Sequence, residues 1–209
     1  MLNKLEKRCI ELTYNNHLTH LGSVLTAVGL IDKIYLAKNQ GDKFVLSSGH
    51  SFLAQAVVLE KNGVADADEL VKKHGTHPNR DPLNQIWVST GSLGQGLPIA
   101  VGMAIADPTH DIYVLCSDGE LAEGSCWEAL RIAGELRLEN LKVVVNANGY
   151  SALGKVDVDM LDTRLQMFYP CLVVRTDLFK YPEWLQGVTA HYLALNEEQY
   201  KELMNEAQS

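Results

Sequence analysis

The sequence predicts an α/β fold: a doubly wound, mostly parallel sheet with helices on both faces. Three observations carry this. Short apolar runs at 44–46, 112–116 and 141–145, the last interrupted by Lys142, read as buried strands, and 171–175 reads as another strand. Segments between them repeat apolar residues at helical spacing. Two of the runs stop abruptly at small and polar residues, at Ser47-Ser48-Gly49-His50 and at Ser117-Asp118-Gly119, as strands do where they enter a ligand-bearing turn.

In chain order, Leu2, Leu5, Cys9, Ile10 and Leu12 mark an opening amphipathic helix that ends in the polar stretch 14–19. Ser23 reads as the N-cap of a second helix carrying Val24, Leu25, Val28, Ile31, Ile34 and Tyr35, which leaves His20 in the preceding loop. After the 44–46 strand, His50 opens a helix that stops at Asn62-Gly63; a helix N-terminus there favours anions and a neutral imidazole. A short helix at 66–73 leads into 74–82, where two prolines and a glycine forbid regular structure. Residues 86–88 read as a further strand, and 90–96 as a glycine-rich turn into a helix at 97–106. On that helix Gly96, Ala100 and Ala104 share one face that admits another backbone closely. The run 112–116, a helix at 123–138 and the run 141–145 form a β-α-β unit. Further on, 156–165 is a candidate helix, 171–175 a strand, and Asn196 with Gln199 an N-cap box.

Composition narrows the function. A net charge of −8 and a pI near 5.3 argue against nucleic acid or an anionic membrane as the main partner, so any phosphate binding must be local. Cys9, Cys116, Cys126 and Cys171 show no C-x-x-C pair or metal spacing and read as core thiols of a reducing compartment. The N-terminus mixes charge signs without a long apolar region, and no apolar run approaches membrane-spanning length. The expected location is the cytoplasm.

Parallel strands joined by a crossover helix place both C-terminal ends at one sheet edge, so Asp118 and Asn148 face one site. A carboxylate, an amide oxygen and a backbone carbonyl suit Mg²⁺, which takes its other ligands from diphosphate and water. D-G-E-L-A-E-G at 118–124 followed by N-A-N-G-Y at 146–150 resembles the thiamine-diphosphate motif in the form used by transketolases, with Ser117 where glycine is usual. T-H-L-G-S at 19–23, D-K-F-V-L-S-S-G-H at 42–50, G-T-H-P at 75–78, T-G-S-L-G-Q-G-L at 90–97 and A-V-G-M-A-I-A at 100–106 follow the family order. The resemblance spans roughly residues 10 to 155.

The resemblance implies a set of roles. Asp118, Asn148 and the Tyr150 carbonyl would hold the metal, Mg²⁺ or alternatively Ca²⁺ or Mn²⁺, and Gly119 would sit against the diphosphate. Gly91 and Leu93 match positions whose backbone contacts the aminopyrimidine. His20, His50 and His77 match histidines of the substrate channel, His50 also lying at the cofactor, and Glu123 matches the glutamate that links two cofactor sites across a subunit interface. The family's further channel histidine belongs to the later region, and His191 is not equated with it.

The activity implied is transfer of a two-carbon ketol unit from a ketose or ketose phosphate to an aldose or aldose phosphate. The chain is expected to be one cofactor domain over 1–209 with a shortened C-terminal part. In the family the glutamate that activates the aminopyrimidine, and the basic residues that grip sugar phosphate, lie in a later module. The reading is therefore half of a split enzyme, completed by a separate C-terminal subunit with a pyrimidine-binding module and a C-terminal domain, as an α2β2 heterotetramer. Alternatives are a degenerate cofactor-domain partner, or a subunit like deoxyxylulose-phosphate synthase or the ketoacid dehydrogenases.

Overall fold

The computed structural model describes residues 2–206. The chain begins with α1 (Lys4–Asn15), whose capping box is reciprocal: Glu6 N donates to Asn3 Oδ1 at 2.9 Å and Asn3 N to the Glu6 carboxylate at 2.8 Å. Next come α2 (Leu21–Ala37), β1 (Lys43–Leu46), α3 (Phe52–Lys61), α4 (Ala67–His74) and α5 (Gly96–Ala106). The β-α-β unit is β2 (Ile112–Ser117), α6 (Gly124–Leu136) and β3 (Leu141–Ala147). A two-residue hairpin, β4 (Tyr150–Ser151) and β5 (Gly154–Lys155), precedes α7 (Val158–Phe168), β6 (Cys171–Arg175) and α8 (Glu197–Glu206).

Four strands form one parallel sheet in the order β1-β2-β3-β6. Val45 pairs with Val114, Val114 with Val143 and Val143 with Cys171. Successive strand residues face opposite sides. Phe44, Leu46, Leu115 and Val144 pack into a core with α1, α2 and α3, while Val45, Val114, Cys116 and Val145 pack with α5, α6 and α7. The sheet is apolar on both faces because helices cover both. All four strand ends therefore open at one edge, carrying Ser47, Asp118, Asn148 and Thr176.

The last segment is tied back to the start of the chain. Asn146, buried in β3, donates from Nδ2 to Thr26 Oγ1 on α2 at 2.9 Å and accepts from Thr176 Oγ1 at 2.6 Å. Tyr200 on α8 stacks on Tyr14 of α1 with ring centroids 4.3 Å apart, and Lys180 pairs with Glu6. The Asn196–Gln199 box forms as expected, with reciprocal bonds of 3.1 and 2.8 Å.

Three local expectations are corrected. Ser23 is not an N-cap: α2 starts at Leu21, and the cap residue is His20 in the left-handed conformation, φ +66°. A tertiary bond moves that boundary, since His20 N donates to His191 O at 3.1 Å. His50 lies in a 3₁₀ turn, Gly49–Ser51, before α3 begins. Residues 86–88 are no strand; Ile86 makes one isolated antiparallel bridge to Asp81, while Ile86 and Val88 are buried in opposite cores. Their alternation records burial without sheet pairing.

Candidate active site

The turn after β2 holds Asp118, 2% exposed. Its Oδ1 accepts from Gly119 N at 2.9 Å and its Oδ2 from Gly149 N at 2.7 Å, so one carboxyl joins the ends of β2 and β3. Among the described residues no cation pairs with it. Burial pushes this carboxyl up to about 6 against the downward pull of those amide bonds. Gly119 is packed so closely that an added Cβ would lie 2.9 Å from Ser151 Cβ and 3.5 Å from the Tyr150 carbonyl oxygen. That carbonyl thus sits beside the Asp118 turn. Asn148 is half-buried at the end of β3, and its Oδ1 accepts from Tyr150 N at 3.0 Å.

The histidines converge. The ring centroids of His20 and His50 are 5.5 Å apart and those of His20 and His77 6.4 Å. His191, unassigned from sequence, completes the group at 4.5 Å from His20 and 5.8 Å from His50. Burial, followed by repulsion from neighbouring imidazoles, lowers His20 to about 4 and His50 to about 3. Burial lowers His191 as well. His20, His50 and His191 are thus held neutral at physiological pH, hydrogen-bonding groups rather than fixed cations.

His191 also lines a cavity of about 90 Å³ with Gly22, Ser23, Asn148, Tyr150 and Leu178. The first turn of α2 reaches this cavity without any side-chain cap, so its N–H groups and dipole favour an anion there. His77 is exposed and packs over Gly91, where the backbone φ is +155° and an added Cβ would lie 3.1 Å from the imidazole. Leu93 is half-buried in the same glycine turn, and Glu123 is exposed beside Gly94. Among His, Cys, Asp and Glu, one described group is compact enough to hold a cation, Glu60 with Asp66 and Asp68. It lies elsewhere, and Arg8 already bonds Glu60 and Asp68.

Fold and site together define an α/β protein of the cofactor-binding kind, with a buried carboxylate turn and a histidine cluster on one edge of a parallel sheet. Residues 35–172 match the family model described as transketolase, thiamine diphosphate binding domain. The chain belongs to the transketolase family, a family of transferase-type enzymes. It is 30% identical over 174 residues to an apulose-4-phosphate transketolase subunit of Phocaeicola vulgatus, covering 74% of this chain and 62% of that protein. The apulose-4-phosphate transketolase subunit of Actinobacillus succinogenes is 31% identical, covering 71% of this chain and 63% of that one. The chain thus spans somewhat under two thirds of these relatives. The transketolase structure from Campylobacter jejuni superposes with a TM-score of 0.69 at 20% identity, over all of this chain and 43% of that one. A Pichia stipitis transketolase variant superposes with a TM-score of 0.74 at 22% identity, over 97% and 40% respectively. These two likenesses establish the shared fold.

The residues present fit thiamine diphosphate. Among the described residues the buried Asp118 carboxyl lacks a counter-charge, two glycines leave bare backbone, and the uncapped start of α2 faces the cavity that Asn148 and Tyr150 also line. Among the described residues no helix is long and apolar enough to cross a membrane.

Proposed function

We propose that this chain is the cofactor-binding subunit of a split, Mg²⁺-dependent transketolase that moves a two-carbon ketol unit from a ketose phosphate to an aldose phosphate. One observation carries the reading: the buried Asp118 carboxyl, held by two backbone N–H groups beside the Tyr150 carbonyl, with no cation next to it among the described residues. A buried carboxylate without a counter-charge is costly, and a divalent cation bound to a diphosphate offsets that cost. Asp118, the Asn148 amide oxygen and the Tyr150 carbonyl are hard oxygen donors of the kind Mg²⁺ takes. Asn148 Oδ1 would exchange its bond to Tyr150 N for the metal.

Thiamine diphosphate, when bound, supplies the carbon nucleophile on which ketol transfer depends. The chain's own residues bind and orient the reactants. Gly119 and the first turn of α2 meet the diphosphate, while the backbone of Gly91 and Leu93 meets the aminopyrimidine. His20, His50, His77 and His191 line the path to the sugar. Burial keeps His20 and His50 uncharged, so each can accept a hydrogen bond from a sugar hydroxyl.

Glu123, exposed beside the glycine turn, would reach a second cofactor site across a subunit interface. The chain forms one cofactor domain with a shortened C-terminal part, and a separate subunit with a pyrimidine-binding module and C-terminal domain completes the site as α2β2. Two observations support a partner. The two relatives carry names that mark each of them as one subunit of a transketolase. Helix α5, G-L-P-I-A-V-G-M-A-I-A, has no polar side chain yet leaves Ile99 and Ile105 exposed. Four buried, unpaired cysteines suit the cytoplasm.

The test is calorimetric titration of thiamine diphosphate with Mg²⁺ into the chain, alone and mixed with the partner subunit, for wild type and Asp118→Ala. Wild type should take up the cofactor and, with its partner, transfer ketol units. The variant should lose about a hundredfold in affinity, the loss of roughly two charge-assisted contacts. Undiminished uptake by the variant overturns the metal assignment; no uptake by any form overturns the function.

A further inference from the structure

Glu120 is wholly buried in the 3₁₀ turn that follows Asp118-Gly119. Its Oε1 accepts two hydrogen bonds, from Ser47 Oγ at the end of β1 at 2.7 Å and from Gly94 N in the glycine turn at 2.9 Å. The same Ser47 oxygen accepts from Leu97 N in the first turn of α5 at 3.1 Å. Ser125 Oγ holds the other side of the Gly94 peptide, donating to Gly94 O at 2.7 Å. Gly94 has φ +75°, and a Cβ there would lie 2.5 Å from Ser125 Oγ and 2.7 Å from Glu123 Cβ. One carboxylate oxygen therefore ties together the end of β1, the turn after β2 and the glycine turn before α5.

These attachments sit between the two ends of the proposed cofactor site. Gly91 and Leu93 belong to the turn that Glu120 holds, while Asp118 and Gly119 immediately precede Glu120 in sequence. A ligand gripped at both ends binds best when the spacing of the grips is fixed beforehand, because no free energy is then spent on ordering the loop. Glu120 touches neither end of the site itself. Its two shortest hydrogen bonds both fall on Oε1, the oxygen that faces the glycine turn.

We infer that Glu120 is a positioning residue, whose Oε1 clasp on Gly94 N and Ser47 Oγ sets the aminopyrimidine turn at a fixed distance from the diphosphate turn. This inference rests on the cofactor reading above and adds to it a residue that contacts no ligand.

The test uses Glu120→Asp, which keeps the carboxylate but withdraws it by one methylene, and Glu120→Gln, which keeps an oxygen of the same reach. In the full chain, amide hydrogen exchange at residues 90–97 and calorimetric affinity for thiamine diphosphate with Mg²⁺ are measured beside the melting temperature. Glu120→Asp should speed exchange of the Gly94 amide and weaken cofactor affinity, each by about tenfold, the scale of one lost buried hydrogen bond. Glu120→Gln should restore both to within about threefold of wild type, since the amide oxygen accepts the same two donors. Wild-type exchange and affinity in Glu120→Asp would overturn the inference, as would a Glu120→Gln variant as impaired as Glu120→Asp. If wild type itself binds no cofactor, the functional reading and the positioning role fall together; normal wild-type binding with an unaffected Glu120→Asp defeats the positioning role alone.

Discussion

Gly49→Ala adds one methyl group where two site loops meet. An added Cβ would lie 2.6 Å from Thr90 C, 2.7 Å from Gly91 N and 2.7 Å from Thr90 O. An ordinary carbon contact is about 3.5 Å or more, so the loops would have to part by roughly 0.8 Å. All three neighbours are backbone atoms and cannot rotate aside. Gly49 is not among the residues with positive φ, so alanine meets no torsional penalty and the effect is purely steric. Overpacking of this kind costs about 2 kcal/mol, which lowers the melting temperature of a chain this size by about 4–8 °C. The displaced partner is Gly91, over which His77 packs, so cofactor affinity should fall together with stability. The control is Gly102→Ala on α5, where nothing lies within 4 Å of the added Cβ. There alanine in place of glycine in a helix should stabilise by up to about 1 kcal/mol. Thermal melting followed by circular dichroism, with a cofactor titration, reads both variants. A Gly49→Ala chain that melts with wild type and binds cofactor equally would refute the close approach of these loops.

The histidine cluster should make stability fall with acid, because His50 is held near 3 in the folded chain against 6.5 when free, so the unfolded chain binds more protons between those values. Stability therefore rises with pH across that window, with up to about 3 kcal/mol lost from His50 by pH 4.5. Urea unfolding at pH 7 and 4.5 should show a smaller difference for His50→Gln, and equal differences would contradict the burial of this imidazole. His191→Ala removes one neighbour that holds His20 down and opens its surroundings to water, so the His20 titration followed by NMR should move up from about 4 towards 6.5. An unmoved titration would separate His191 from the cluster.

Much of the architecture was legible in the sequence because it rests on local pattern. Buried strands write short apolar runs, and β1, β2, β3 and β6 lie where those runs fall, although Lys142 interrupts β3 and the edge strand β6 leaves Leu172 exposed. The Asp118 turn and Asn148 could be placed from one β-α-β spacing, since parallel strands must end on the same edge. What could not be read depends on contacts remote in sequence. The start of α2 is set by His20 N bonding to the His191 carbonyl, and no local cap preference encodes that. The 86–88 run shows that alternating burial can arise where two cores meet without any strand partner. Nothing local in D-G-E-L-A-E-G sets Glu120 apart, and its burial becomes visible only once Ser47 and Gly94 are seen around it. His191 is isolated in the sequence; the Asn146 bonds and the Tyr14–Tyr200 stack are what carry it to the site.

That tethering also sets an order of events during folding. Strand pairs joined by one helix can form early, because their closing loops are short, whereas ordering a distant segment waits for the surface it docks on. Thr176 meets its partner Asn146 as soon as β6 pairs with β3, whereas Asn146 and Thr26, 120 positions apart, meet only when α2 packs on the sheet, and α1 must be laid down before Tyr200 can stack. The fourth imidazole belongs to His191, whose carbonyl accepts from His20 N at the start of α2, and it waits for that helix to be in place. A chain whose sheet is intact but whose last turns are undocked would keep the Asp118 turn while its histidine cluster stands open on one side, so the edge-on packing of His20 against His191 is a marker of completed assembly rather than of the sheet alone.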